Sequence, residues 1–145
     1  MRTEQQKLEC LRKAIRNTRE HIEAGDRPRI YSQYIRYALD DLKYLNFFTS
    51  EEAVGLSRSE VRHDHVVPHS WVMNRLLALD SLKDASILEV LRKYFFICVI
   101  SKREDMLLNS AGLRKKMPDG WDPDLGDVFE RYRVAGLTPV RRLKD

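Results

Sequence analysis

The chain has 145 residues, of which 43% are hydrophobic and 33% charged, a balance typical of one folded domain and unlike that of a disordered chain. No apolar run approaches the roughly 20 residues of a membrane-spanning helix, and the charged start is not a signal peptide, so we expect a cytoplasmic protein with no membrane partner. The net charge of +4 is compatible with a polyanionic partner, and two cysteines without C-x-x-C spacing predict reduced thiols and no zinc ribbon.

Helices are predicted in the N-terminal part of the chain. Apolar residues three and four apart predict a first helix over about 3–24 and a second over about 30–46. The stripe of the first helix consists of Leu8, Leu11, Ile15, Thr18 and Ile22. We interpret the apolar stripe of the first as packing within its own domain rather than as a dimer-forming coil. Its basic face is interpreted as solvated surface rather than as a reader of a DNA groove. Tyrosines such as Tyr37 are interpreted as core and rim residues. Thr49-Ser50-Glu51-Glu52 has the form of a capping box and predicts a short helix that ends near Gly55.

Side chains suited to catalysis or metal binding are concentrated in residues 63–69. Three of the four histidines fall here, as His63, His65 and His69, and Asp64 precedes His65. The valines after His65 favour an extended strand, which Pro68 ends. An aspartate beside a histidine at the end of a strand suits metal-assisted attack on a phosphodiester.

The next segment is predicted to be helical twice, over about 71–79 and about 85–93. An apolar run rich in β-branched and aromatic residues then predicts a buried strand over 94–100. Ser101 and Glu104 form a capping box that opens a further helix, for which Gly112 is the expected C′ residue. On this helix Asp105 and Asn109 are four apart, so they lie on the same side.

The C-terminal part begins with a turn-rich loop. A last helix is predicted from about Gly126 to Ala135, with Gly136 as its C′ residue. The tail, 141–145, is expected to be loose.

Two stretches resemble motifs of the HNH endonucleases, a family with the ββα-metal fold. Asp64-His65-Val66-Val67-Pro68-His69-Ser70 resembles the first family motif, in which a metal ligand precedes the general-base histidine. Val99 to Asn109 resembles the last motif, in which Ser or Thr opens a helix that carries two ligands four residues apart. The resemblance covers residues 62 to about 111.

The resemblance implies an α+β, mostly helical fold. Its core would be a two-stranded antiparallel hairpin followed by a helix. We therefore expect a single domain, 1–145, with a helical N-terminal part (1–55), a nuclease core (56–112) with a helical insertion (71–93), and a C-terminal loop and helix (113–145).

The implied function is a metal-dependent endonuclease that hydrolyses DNA, with RNA as an open alternative substrate. His65 would be the general base, and Asp64, Asp105 and Asn109 would hold one divalent metal. Three oxygen donors favour Mg²⁺ or Mn²⁺. Products would carry 5′-phosphate and 3′-hydroxyl ends, and the protein would be a monomer or a homodimer. Restriction or phage defence is one expected setting, and a phage, homing or toxin role would fit as well.

Further candidate residues flank these motifs. His63 and His69 are additional site candidates, or else surface histidines. Basic residues that either bind the nucleic acid or only solubilise the protein are Lys102, Arg103, Arg114, Lys115 and Lys116. The four site candidates could also have structural roles only. Asp64 and His65 could form a hydrogen-bonded pair, the helix dipole could favour the acid Asp105, and Asn109 could be a polar residue near a helix end.

The chain departs from the family pattern in two ways. The insertion between the strands is longer, and no asparagine precedes the second strand to brace the base. The missing asparagine motivates one rival hypothesis, a non-catalytic nucleic-acid-binding or nuclease-inhibiting protein that retains an HNH-like shell. A second rival is a protein-interaction module built on the N-terminal helices.

Overall fold

The computed structural model describes residues 1–143 and shows an α+β protein that is about half helical. The predicted α+β class is confirmed, but the sheet has four strands, in mixed orientation, rather than the predicted two. The chain divides into two compact units, the first formed by 1–45 and 69–93 and the second by 46–68 and 94–145. The single domain expected from the sequence stays a prediction.

The first unit is built from helices. They are α1 (Glu4–Glu23), a single turn α2 (Pro28–Tyr31), α3 (Tyr34–Asp40), α4 (His69–Leu77) and most of α5 (Asp84–Tyr94). Helix α1 contacts α2, α3 and α4. Its predicted stripe is confirmed for Leu8, Leu11 and Ile15, which are buried, and is wrong for Ile22, which is 47% exposed.

The second predicted helix is broken at residues 32–33, between α2 and α3. The break changes the buried face, which α3 builds from Ile35, Ala38 and Leu39. Tyr37 is 68% exposed, so the interpretation that it is a core or rim residue was wrong. The helices predicted over 71–79 and 85–93 are confirmed with boundaries shifted by one or two residues.

Two arginines on the basic face of α1 donate hydrogen bonds to backbone carbonyls at the end of α4 and in the segment that follows it. Arg19 donates from Nε and Nη2 to the carbonyl oxygen of Leu77 at 3.2 and 3.0 Å. Arg12 donates from Nε to the carbonyl of Leu82 at 2.7 Å. The interpretation of this face as solvated surface is therefore wrong for these two residues, because their guanidinium groups satisfy backbone carbonyls.

The second unit contains the sheet. Its strands are β1 (Phe47–Ser50), β2 (Val61–His65), β3 (Ile97–Ser101) and β4 (Val140–Arg142), in the order β2-β3-β1-β4. Strand β3 is antiparallel to β2 and parallel to β1, and β4 is antiparallel to β1. Helix α6 (Lys102–Ser110) follows β3 directly, and α7 (Glu130–Ala135) comes before β4.

Strand β1 replaces the helix predicted to open at Thr49. The Ser50 hydroxyl does accept a hydrogen bond from the backbone N–H of Ala53, at 3.2 Å, as in a helix cap, but the chain then continues as turns. The Phe47-Phe48-Thr49 sequence instead pairs with β3 and β4, as its β propensity favours.

The prediction of a loose C-terminal tail is wrong for Arg141 and Arg142, which belong to β4; residues 144 and 145 lie outside the described residues. The last helix is shorter than predicted, since α7 begins at Glu130 rather than near Gly126. Its end is confirmed, because Gly136 has φ 81° and closes the helix in the left-handed conformation.

Apolar side chains of β3, α6 and α7, together with residues that follow β2 and α6, form a hydrophobic core cluster in the second unit. Its buried members are Val66, Cys98, Ile100, Leu108, Leu113 and Tyr132. This core fixes α6 and α7 against the sheet beside the end of β2. Among residues 1–143 there is no helix with the length and apolar character needed to cross a bilayer.

Candidate active site

The first motif lies at the end of strand β2. Asp64 pairs with Cys98 and His65 pairs with Ile97 in the antiparallel ladder with β3. Side chains alternate along a strand, so Asp64 and His65 point to opposite faces of the sheet. Asp64 lies on the face that carries the core, and the ring of His65 has its centroid 6.2 Å from that of Phe95.

The carboxylate of Asp64 has two strong donors on one oxygen. Arg131 donates from Nη1 to Oδ2 at 3.1 Å, and the hydroxyl of Tyr132 donates to the same oxygen at 2.6 Å. Burial raises the pKa of Asp64, and the negative charge of Asp105 acts in the same direction, while Arg131 and Tyr132 oppose the shift. Helix α6 contacts β2, and Asp105 lies in the first turn of α6.

Arg131 is the centre of this network. Its side chain is completely buried, and it donates to the carbonyls of His65 and Val66 at 2.9 Å each. It also donates to the carbonyl of Leu113 at 2.7 Å and to that of Arg114 at 3.0 Å. One guanidinium thus ties the end of β2, the loop after α6 and helix α7 together, which uses the planar set of donors that only arginine has.

Tyr132 lies beside Arg131 and is 3% exposed. Burial raises its pKa well above the usual value, and the neighbouring charge of Asp64 acts in the same direction. The hydroxyl therefore stays protonated and donates to Asp64. Burial likewise raises the pKa of the adjacent Cys98 thiol to about 12.

The second motif folds as the sequence predicts. Ser101 is the N-cap of α6, its hydroxyl accepts from the backbone N–H of Glu104, and the Glu104 side chain accepts in turn from the N–H of Ser101. Gly112 has φ 72° directly after the C-cap, which confirms it as C′. Asp105 is half-buried and Asn109 exposed, one turn apart on α6.

Glu104 has a further role that the capping box did not reveal. Its carboxylate is completely buried and accepts from the backbone N–H and the hydroxyl of Thr138, at 3.1 and 2.8 Å, and from the hydroxyl of Ser50. It therefore joins the start of α6 to β1 and to the segment before β4.

The other two histidines have different surroundings. His63 is exposed on β2, with its ring centroid 5.8 Å from that of Phe47. His69 is the first residue of α4 and belongs to the first unit. Burial lowers the pKa of His69, and the charge of Arg36 lowers it further. Their roles at the site stay predictions.

The predicted basic residues are all exposed, but their surroundings differ. Arg103 is paired with Glu52, to which its Nε donates at 2.9 and 3.0 Å. Lys115 and Lys116 follow Arg114, whose carbonyl is held by Arg131. The segment 114–116 is therefore the basic cluster that the network anchors to the end of β2.

Among residues 1–143, no group of three or more His, Cys, Asp and Glu side chains is placed to hold a metal ion. The predicted set contains two such residues and one asparagine. The chemistry of that set fits a hard divalent cation, because its donors are carboxylate and amide oxygens. At Asp64 the fit is restricted to one oxygen, since Oδ2 already accepts two hydrogen bonds.

Sequence reasoning missed Arg131 and the bond from Tyr132. One signal was available: Arg131 stands three residues after Val128 and four before Ala135, so it falls on the apolar side of the predicted helix, where a charged residue needs a partner.

Comparison with protein-family models, with curated proteins and with solved structures finds no match to this chain.

Proposed function

We propose that this protein is a metal-dependent endonuclease of the HNH type that hydrolyses phosphodiester bonds in DNA. One observation carries the proposal: β2 and β3 form an antiparallel pair, and α6 follows β3 directly and contacts β2, so that Asp64 and Asp105 belong to one ββα unit. Two carboxylates that approach each other in a partly desolvated place are a usual setting for a divalent cation.

The proposed roles follow from the donor types. Oxygens of Asp64, Asp105 and Asn109 would hold one Mg²⁺ or Mn²⁺, which when bound stabilises negative charge on the phosphate and on the leaving oxygen. The resemblance gives His65 the role of accepting the proton of the attacking water, as an imidazole commonly does near neutral pH. Because the His65 ring points to the other face of the sheet from Asp64, this role rests on the sequence motif alone. The proposed ββα-metal core consists of β2, β3 and α6, with α4 and α5 inserted between the two strands.

The second candidate is a nucleic-acid-binding protein without turnover. It is favoured by the hydrogen bonds from Arg131 and Tyr132 to Oδ2 of Asp64, since a carboxylate neutralised in this way can serve the fold alone. In that case the basic segment 114–116 would bind phosphates and Asp64 would only hold the strand end.

Cleavage of supercoiled plasmid separates the two candidates. We expect nicking with Mg²⁺ or Mn²⁺, none with EDTA, and loss of nicking in His65→Ala and Asp105→Asn. His21→Ala is the matched control, because His21 lies in the first unit and contacts Asp26; it should nick like the wild type.

Metal binding to the wild type and to Asp105→Asn should be titrated in parallel. Metal binding that depends on Asp105, together with nicking, supports the enzyme. DNA binding with neither nicking nor metal binding would refute the enzyme and favour the second candidate.

A further inference from the structure

We infer that Tyr132 and Arg131 are positioning residues that fix Asp64 so that it offers a single oxygen, Oδ1, to a metal ion. This inference rests on the proposed function, because it concerns how the proposed metal ligand is held. It assigns to helix α7, which lies outside the two motifs, an indirect part in metal binding, through Asp64.

The first step concerns the lone pairs of Asp64. An ionised carboxylate has about four acceptor positions, two on each oxygen. Among the described residues, both side-chain donors to Asp64 bind the same oxygen, Oδ2, at 3.1 and 2.6 Å. Oδ2 is therefore saturated, so a cation at Asp64 would bind through Oδ1 alone.

The second step concerns rotation of the carboxylate. Two donors on one oxygen, one from Arg131 and one from Tyr132, prevent the group from turning about its own axis. The same Nη1 atom of Arg131 also donates to the carbonyls of His65 and Val66 at 2.9 Å, so its two hydrogens are shared among three acceptors, of which Asp64 is the most distant. The side chain of Asp64 and the backbone that follows it are thus fixed by one rigid plane of donors.

The third step concerns the surroundings of the two donors. Arg131 is completely buried and Tyr132 is 3% exposed, so water does not replace their hydrogen bonds. Residues that hydrogen-bond to a metal ligand without touching the metal typically lower the metal affinity 10- to 100-fold when they are removed. A purely structural pair would change the stability of the fold and leave the metal affinity as it was.

The test is a calorimetric titration of the full chain with Mn²⁺. The principal variant is Tyr132→Phe, which removes only the hydroxyl from a buried ring. The matched control is Tyr94→Phe, because Tyr94 is 2% exposed and its hydroxyl donates to the carbonyl of Pro123, at 3.0 Å, rather than to Asp64. We expect the Mn²⁺ Kd to rise about 10- to 100-fold in Tyr132→Phe and to stay within about twofold in the control.

Arg131→Lys is the second variant, and Asp64→Asn sets the level for loss of the ligand. Lysine keeps the positive charge but not the planar donors, so a weaker Kd in this variant reports position rather than charge. Circular dichroism melting shows which variants are folded at the titration temperature.

The outcomes separate the two proposals. If Tyr132→Phe and Arg131→Lys are folded and bind Mn²⁺ like the wild type, the positioning role is refuted while the proposed function stands. If the wild type and Asp64→Asn bind Mn²⁺ equally or not at all, the proposed metal site is refuted, and the positioning role with it.

Discussion

Replacement of Arg131 by methionine tests the central network independently of any function. Methionine keeps much of the volume of the side chain and none of its donors. The change leaves the 15%-exposed Asp64 carboxylate without its cation and the four carbonyls that Arg131 holds without this donor. The residue is completely buried, so water does not replace the missing donors.

The expected loss follows from these contacts. Removal of one partner from a buried ion pair costs about 3–5 kcal/mol, because the remaining charge stays buried and uncompensated. Total folding free energies are only about 5–15 kcal/mol. With a urea dependence of about 2 kcal/mol per molar, the unfolding midpoint of the second unit should fall by roughly 1.5–2.5 M.

The assay is urea unfolding followed by tryptophan fluorescence in a Trp71→Phe background, in which Trp121 reports on the second unit. Arg133→Met is the control on the same helix: its side chain is 70% exposed and paired with Glu130, so its loss should cost less than about 1 kcal/mol. A midpoint for Arg131→Met that differs from the Arg133→Met midpoint by less than about 0.5 M would refute the argument.

Three further predictions concern other features. Ser101→Ala should lower the unfolding free energy by about 1–2 kcal/mol, since the cap to the N–H of Glu104 is lost; an unchanged urea midpoint would contradict this. Gly136→Ala should cost about 1 kcal/mol in the same assay, because φ is 81° and a Cβ meets nothing within 4 Å, which leaves backbone strain alone; a gain in stability would contradict it. The pKa of Cys98 is raised to about 12, so at pH 8 only about one thiol in ten thousand is a thiolate. A disulfide reagent should therefore modify the partly exposed Cys10 and leave Cys98 unmodified until the protein unfolds. Two fast-reacting thiols in the folded protein would contradict this prediction.

Local patterns in the sequence were sufficient for helix α6. Its start depends on Ser101 and Glu104, three residues apart, and its end on Gly112, so each signal lies within the helix that it specifies. The same kind of pattern failed at Thr49 and Ser50. There the capping hydrogen bond forms, but pairing with β3 and β4 decides the conformation, and those partners are distant in sequence.

The hydrogen-bond partners of Asp64 could not be predicted from local sequence patterns, because they too are distant in the chain. Its partners Arg131 and Tyr132 are 67 and 68 residues away, and no periodicity connects them to the motif. The order of the two motifs predicts that Asp64 and Asp105 share one site, and this stays a prediction. The sequence did not predict that Oδ2 of Asp64 would be occupied by protein donors.

The strand order has a consequence for how the sheet is made. Strand β1 pairs with β3 and β4, and β2 pairs with β3, so neither of the first two strands has a neighbour when it leaves the ribosome. Both must wait until the helices between β2 and β3 and then β3 itself have been synthesised. Since β3 pairs with both β1 and β2 and leads directly into α6, its synthesis allows three strands to join, whereas β4 and the Arg131–Tyr132 pair of α7 complete the sheet and the candidate site only later. A chain that stops before β3 has no strand pair of this sheet.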